Sequence, residues 1–248
     1  MGGGEMSKRR KAARAAKAKR QQAARRADWW RHWPYFAVGG VAVALVAALV
    51  LVSTGGEPSS SEVQASYPVG YTPPTDGDES APVEFVMWAD YQCPFCGRFE
   101  AQTLPELRQR YVDTGKMKFV WRNFENYGSE SQDSAVAAHC AGEQDKFWEY
   151  HDMLYVNQRG INTGAFTTSN LLRFASELGL ERAPFETCLG GLGYDAVISA
   201  DKKLGRSEGV NATPTFFING EMIVGAQPTE TFVDLIETAL LDAADSEG

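Results

Sequence analysis

"VEFVMWADYQCPFCGRFE", residues 83–100, is the stretch whose reading decides the fold. It begins inside "PVEFVMWAD", residues 82–90, an apolar-rich run that suits a central β-strand. Cys93 and Cys96 come next, three positions apart, with Pro94 and Phe95 between them. Beyond them, Phe99, Leu104, Leu107 and Tyr111 recur near helical spacing. Gly115 stops that helix and Pro105 kinks it. The two cysteines therefore stand where a strand turns into a helix. At this point they can be a redox pair, half of a zinc site or a structural staple.

Further along, "KMKFVWRNF", residues 116–124, reads as a second strand. The pattern then changes. From 128 to 206 the segments "ESQDSAVAAHCAGEQDKFWEYHDMLYVNQ", "TTSNLLRFASELGL", "RAPFETCLGG" and "YDAVISADKKLGR" read as successive helices with no strand among them. Strands return at 213–220 and 221–226, joined by Asn219-Gly220, a strong hairpin signal. An amphipathic helix starts near Pro228. The chain thus divides into an α/β framework, 81–127 and 207–244, interrupted by an inserted helical subdomain, 128–206.

Charge separates the N-terminal part from this body. Residues 1–33 hold 11 Lys and Arg against 2 Asp and Glu, a balance of +9; the other residues hold 13 against 30, a balance of −17. Basic runs can neutralise phosphates, but the apolar segment next to this one argues against a nucleic-acid partner. Residues Tyr35 to Val52 carry no charge over 18 positions, about enough for a helix across a hydrocarbon core of ~30 Å. Trp29, Trp30, Trp33 and Tyr35 stand at its start, where amphipathic rings favour the headgroup layer. The expectation is a basic cytoplasmic segment, 1–34, and a transmembrane signal anchor, 35–52. A Ser-, Gly- and Pro-rich stalk occupies 53–80, with a short extended edge among Val63, Tyr67, Val69 and Tyr71. The alternative, a cleaved signal peptide, has an apolar core of about 7–15 residues and a small-residue cleavage site, and this stretch is longer and lacks a clear one. By the positive-inside rule the acidic body lies outside a single-pass cell-membrane anchor.

Outside the cytoplasm disulfides persist. A cysteine at a helix N-terminus faces free N–H groups and partial positive charge, which stabilise its thiolate. Cys93 is therefore expected to attack, and Cys96, one turn in and less exposed, to resolve the mixed disulfide. Pro94 can start the helix; Phe95 brings neither charge nor a side-chain donor. An all-cysteine zinc site usually has two close pairs, whereas Cys140 and Cys188 lie 48 residues apart, each alone on an expected helix. They read as a disulfide stapling two helices, with a second redox relay as the alternative. His139 reads as a surface or packing histidine, His151 as core or boundary, and Lys202-Lys203 as a solvated face.

Three segments together, "VEFVMWADYQCPFC", "AVAAHCAGEQDKFWEYHDMLY" and "GVNATPTFFINGEMIVGA", resemble the DsbA-like thioredoxin-fold thiol–disulfide oxidoreductases in their membrane-anchored bacterial form. The resemblance covers about residues 64–244. It implies an α/β thioredoxin fold with a helical insertion, and a cis Pro214 whose loop, through Thr213, lies against the cysteine pair and binds extended substrates. It implies a dithiol oxidase of exported proteins with free thiols, without a cofactor or metal. The implied partner is a quinone-linked membrane reoxidase of the DsbB or VKOR kind. Reductase, isomerase and non-catalytic binding module are the alternatives; no dimerisation domain is evident, so a monomer is expected. Many thioredoxin-like proteins carry a buried acid six residues before the first cysteine. Met87 stands there, and Asp90 is the nearby carboxylate that could relay the proton instead.

Overall fold

The computed structural model describes residues 67, 68 and 70–246. The basic segment, the signal anchor and most of the stalk, including Val63 and Val69, lie outside the described residues. Among those described, no helix is long and apolar enough to cross a membrane.

The strand expected at 82–90 is β2, Val83–Ala89. It lies in the middle of a five-stranded sheet with β1 (Thr75–Asp76), β3 (Met117–Asn123), β4 (Thr215–Ile218) and β5 (Glu221–Val224), in the order β1-β3-β2-β4-β5. β2 and β3 are parallel, with Phe85 opposite Phe119. A parallel pair needs a crossover. It is supplied by helix α1 (Pro94–Gln102), helix α2 (Leu104–Leu107) and a wide π-helical turn, Arg108–Val112. The single kinked helix expected here is in fact broken at Thr103. Pro105 offers no N–H and opens α2 instead of continuing α1. β4 is antiparallel to β2, and Asn219 and Gly220, with φ of 45° and 88°, turn the chain tightly into β5. The short edge strand among the described residues is Thr75–Asp76, and Tyr67 and Tyr71 are in no strand. Tyr67 and Tyr71 fold inward instead: Tyr67 OH donates to Asp201 at 2.7 Å and its ring stacks on Tyr71.

Side chains alternate across the sheet and build two layers. On one face Phe85 meets Phe99 of α1, Phe119, Phe216 and Phe232 of the last helix, α8 (Thr229–Ser246), with ring centres 5.5–6.0 Å apart. On the other, Trp88 packs on Phe124 and on helix α7 (Asp195–Ser207). α7 approaches so closely that a Cβ on Gly205 would stand 2.9 Å from the Trp88 ring. Between β3 and β4 run five helices: α3 (Ser129–Gly142), α4 (Phe147–Val156), α5 (Thr168–Glu177), α6 (Arg182–Leu189) and α7. α3 is buried at nearly every position from Ser131 to Ala141, and its run of small residues lets the neighbouring helices approach from several sides. Cys140 of α3 is joined to Cys188 of α6 by a disulfide. Lys202 is not solvated as expected. Its ammonium reaches into the protein and bonds Glu125, at the carboxylate by 3.0 Å and at the backbone carbonyl.

Candidate active site

Cys93 is the N-cap of α1, with extended backbone (φ −71°, ψ 118°), and Pro94 lies in the first turn. A proline there removes an N–H that the helix would leave unpaired anyway, and the rest of the first turn stays free to serve the sulfur. Both cysteines are free thiols. The Cys93 thiol is pulled down to about 6, first by the hydrogen bond with the Cys96 thiol. Burial opposes this, while the Thr213 side chain and the backbone N–H groups of Cys96 and Phe95 add to it. Cys96 moves the other way, well above the usual thiol range, because it is buried and sits beside Cys93. The two thiols therefore differ in acidity in the expected sense. The expected difference in exposure is absent: both residues are 0% exposed. The reason is the loop at residues 212–214, which closes over Cys93.

The Thr213–Pro214 bond in that loop is cis. The Cys93 thiol donates to the Thr213 carbonyl across 3.3 Å, bringing residues 120 positions apart together. The loop is held by Thr215 Oγ1 donating to Ala212 O at 2.7 Å and by Gly225 N donating to Pro214 O at 2.8 Å. The Thr213 hydroxyl is buried without a hydrogen-bond partner.

Asp90 is buried three residues before Cys93. Its Oδ1 accepts from Gln92 N at 2.8 Å and Ser131 Oγ at 2.7 Å; its Oδ2 accepts from Asn126 N at 2.6 Å. Burial raises its carboxyl above the usual range, and these bonds pull against that rise. It also acts on Cys96, whose thiol its charge pushes up. Met87, where the buried acid of related folds would stand, is an apolar core residue. Gln92 extends the knot: it donates to Ser131 Oγ at 2.8 Å, and its Oε1 accepts from Asn162 N. Gln158 donates to Cys93 O at 3.0 Å. Tyr127, Gln92, Gln158, Ser131 and Asn162 were not singled out by the sequence. Gln92 directly precedes Cys93, but its partners lie elsewhere; the other four are common polar residue types in loops and helices far along the chain, and no spacing rule links them to the cysteines.

Phe95 is 56% exposed, with the Arg98 guanidinium 5.0 Å from its ring centre, so the motif's aromatic faces outward beside a cation. His151 is in the core, fully buried among Tyr91, Trp121, Trp148 and Tyr155. Its Nδ1 is 3.1 Å from Tyr91 OH and its Nε2 3.2 Å from Glu100. Glu100, His151 and Asp152 are a group that could ligate a metal among the described residues. Arg108, 3.3 Å from Asp152, already supplies a cation there, and we assign no metal. His139 is a packing residue, not a surface one: Asn123 Nδ2 lies 3.0 Å from its Nε2, Tyr194 stacks on it at 4.8 Å, and burial pushes it down to about 3.

Residues 71–238 match the family described as "Thioredoxin". The chain is 32% identical over 169 residues to Na(+)/H(+) antiporter NhaA 3 of Salinispora tropica, covering 67% of this chain and 24% of that protein. The chain thus spans about a quarter of the length of the first of these relatives. It is 27% identical over 172 residues to disulfide bond formation protein D of Bacillus subtilis, covering 67% of this chain and 77% of that protein. The oxidised crystal structure of BdbD from Bacillus subtilis superimposes with a TM-score of 0.62 at 26% identity, over 68% of this chain and 92% of that one.

Proposed function

The chain belongs to the thioredoxin family, in its DsbA-like branch, and from that premise we propose that it is an extracytoplasmic thiol–disulfide oxidoreductase that puts disulfides into exported proteins. The observation that carries the reading is the opposed acidity of the two buried thiols, Cys93 down to about 6 and Cys96 far up, at the end of a central strand. A stabilised Cys93 thiolate stabilises the dithiol form, which makes the Cys93–Cys96 disulfide the better oxidant. A substrate thiolate attacks Cys93 Sγ, the bond to Cys96 breaks, and Cys96 keeps the electron pair. A second substrate thiolate then attacks the substrate sulfur of the mixed disulfide. The substrate leaves oxidised and Cys93 leaves as thiolate. Thr213, held beside Cys93, offers backbone to an extended substrate chain. Its partners are exported proteins with free thiols, and a quinone-linked membrane enzyme that regenerates the disulfide. Asp90 is the residue we assign to hold or pass the Cys96 proton, supported by its burial and its electrostatic action on Cys96. The anchor at 35–52 keeps the domain on the outer face of the cell membrane. The antiporter relatives share a quarter of their length with the chain, and we assign it no transport.

The test is the reduction potential of Cys93–Cys96 in glutathione buffers, together with dithiol oxidation of a reduced client. A potential near roughly −120 mV and loss of oxidation in Cys93→Ser are expected. A potential near roughly −270 mV would make the protein a reductase. Full oxidation by Cys93→Ser would remove the mechanism.

A further inference from the structure

Gly97 follows Cys96 directly, inside α1, where the backbone does not require a glycine. The space does. A Cβ there would collide with the side-chain amide of Gln158, Oε1 first. The clearance lets Gln158, on the turn that follows α4, lie over the start of α1. Its Nε2 donates to Cys93 O at 3.0 Å and to Tyr91 O, one N–H for each carbonyl. Cys93 O is also the acceptor of the first bond of α1, from Gly97 N at 3.1 Å. One amide thus fixes the carbonyls on either side of Gln92, and with them the turn that delivers Cys93 to the helix start. The turn carrying Gln158 is itself fixed. Asn157 Nδ2 donates to Met153 O at 2.8 Å, Gln158 N donates to Tyr155 O at 3.2 Å, and the Tyr155 ring lies 5.1 Å from that of Tyr91. Gln92 reaches the opposite way, its Oε1 accepting from Asn162 N. Two glutamines therefore clasp the helical insertion to the cysteine motif, one from each side.

We propose that Gln158 is a positioning residue of the redox centre, its carboxamide holding Cys93 O and the turn before it so that the sulfur stays at the free N–H groups of α1, and that Gly97 is the clearance this needs. The proposal rests on the reading of the centre as one of thiol exchange. A carbonyl without a donor keeps its full negative end beside the sulfur of its own residue. The Gln158 N–H groups offset that charge at Cys93 O and Tyr91 O, and the partial positive charge of the helix start then acts on the sulfur unopposed. When the mixed disulfide is released, the bond between Cys93 Sγ and the substrate sulfur breaks and the electron pair stays on Cys93. A turn already held in place receives that charge without rearranging. No titratable group is altered by a change at Gln158: Cys96, Asp90 and Tyr127, whose charges act on one or other thiol, keep their side chains.

The experiment is the pH profile of Cys93 alkylation in the full-length reduced protein, read by mass spectrometry. Gln158→Met keeps the unbranched side chain and removes both donors. Loss of the clasp predicts a threefold to tenfold weaker Cys93 acidity, roughly half to one pH unit upward. Gly97→Ala leaves Gln158 in the chain and pushes its amide off the two carbonyls. It predicts a shift of the same sign, although alanine by itself favours the helix. The glutathione equilibrium of Cys93–Cys96 moves toward the disulfide in both variants. A profile that moves by less than about twofold in Gln158→Met, with unchanged circular dichroism, overturns the proposal. So does a lowered melting temperature with the profile in place, the result of a clasp that only stabilises the fold. If Gln158→Met does not fold, Gly97→Ala decides by the same threshold. Client oxidation is scored separately. A profile that shifts in a protein whose unaltered form oxidises no client overturns the proposed function and leaves this assignment standing; an active protein with an unmoved profile does the reverse.

Discussion

Two cysteine pairs share one folded chain and have different chemistry. Cys93 and Cys96 are three positions apart across a helix start, where backbone N–H groups, a neighbouring thiol and the Thr213 loop make one thiol acidic and the other resistant to ionisation. Cys140 and Cys188 are 48 positions apart on two packed helices, and they are bonded to each other. The first pair lies against the cis-proline loop, through Cys93 and Thr213 O. The second ties α3, the most buried helix of the insertion, to its neighbour α6. Sulfur is the same element in both; what differs is whether the surroundings favour the thiolate.

This division of labour fails most visibly if the staple proves to be coupled to the redox pair. Replacing Cys140 and Cys188 by alanine together should lower the unfolding free energy by up to about 4 kcal/mol, the loop-closure contribution for a separation of 48 residues. The Cys93–Cys96 potential should not move. Chemical denaturation and a glutathione titration of the same variant measure the two; a shifted potential would make the second pair a relay.

A smaller effect belongs to His139, the residue beside Cys140. Its folded value lies near 3, below that of the unfolded chain, so its stabilising share is complete above about 6.5 and falls as the pH drops toward 3. Between neutral pH and 5 this costs about 2 kcal/mol. His139→Gln should flatten that acid slope, measured by urea unfolding at several pH values. An unchanged slope would place the acid sensitivity elsewhere.

The smallest effect concerns the redox pair itself. The Cys93 value of about 6 is depressed, so the stability it gives the dithiol form is present above the unfolded thiol's value and lost as pH falls through 6. Cys96 stays protonated in this window and adds nothing. The dithiol protein should therefore gain about 1 kcal/mol over the disulfide protein from pH 6 to 7. His139 acts on both forms alike and cancels in that difference. Parallel melts of the two forms give the number, and a flat difference would mean that Cys93 is an ordinary thiol.

Much of this centre could be read before folding. The apolar strand, the cysteine pair after it and Asn219-Gly220 are local patterns, and each appears in the structure within a few residues of its expected place. Asp90 could be singled out because it is the acid beside the motif, yet its three hydrogen bonds to Gln92, Ser131 and Asn126 could not. Nor could the loop after β3, whose Asn126 N and Tyr127 O bond Asp90 and Gln92 just ahead of Cys93. Lys202 misled for the same reason: its pairing with Glu125 needs α7 laid across the sheet.

Where the strand ends, where the helix begins and which cysteine takes the helix start were all written in the order of the residues, because these depend on period, proline chemistry and the helix dipole over a dozen positions. What touches the sulfur was settled by the folded chain alone. Thr213 is 120 positions from Cys93, and the loop at 124–128 meets Asp90 and Gln92 because β3 pairs with β2. Hydrogen bonds act over about 3 Å in space, and no rule of spacing along a chain reports which distant loops a sheet will bring to that distance.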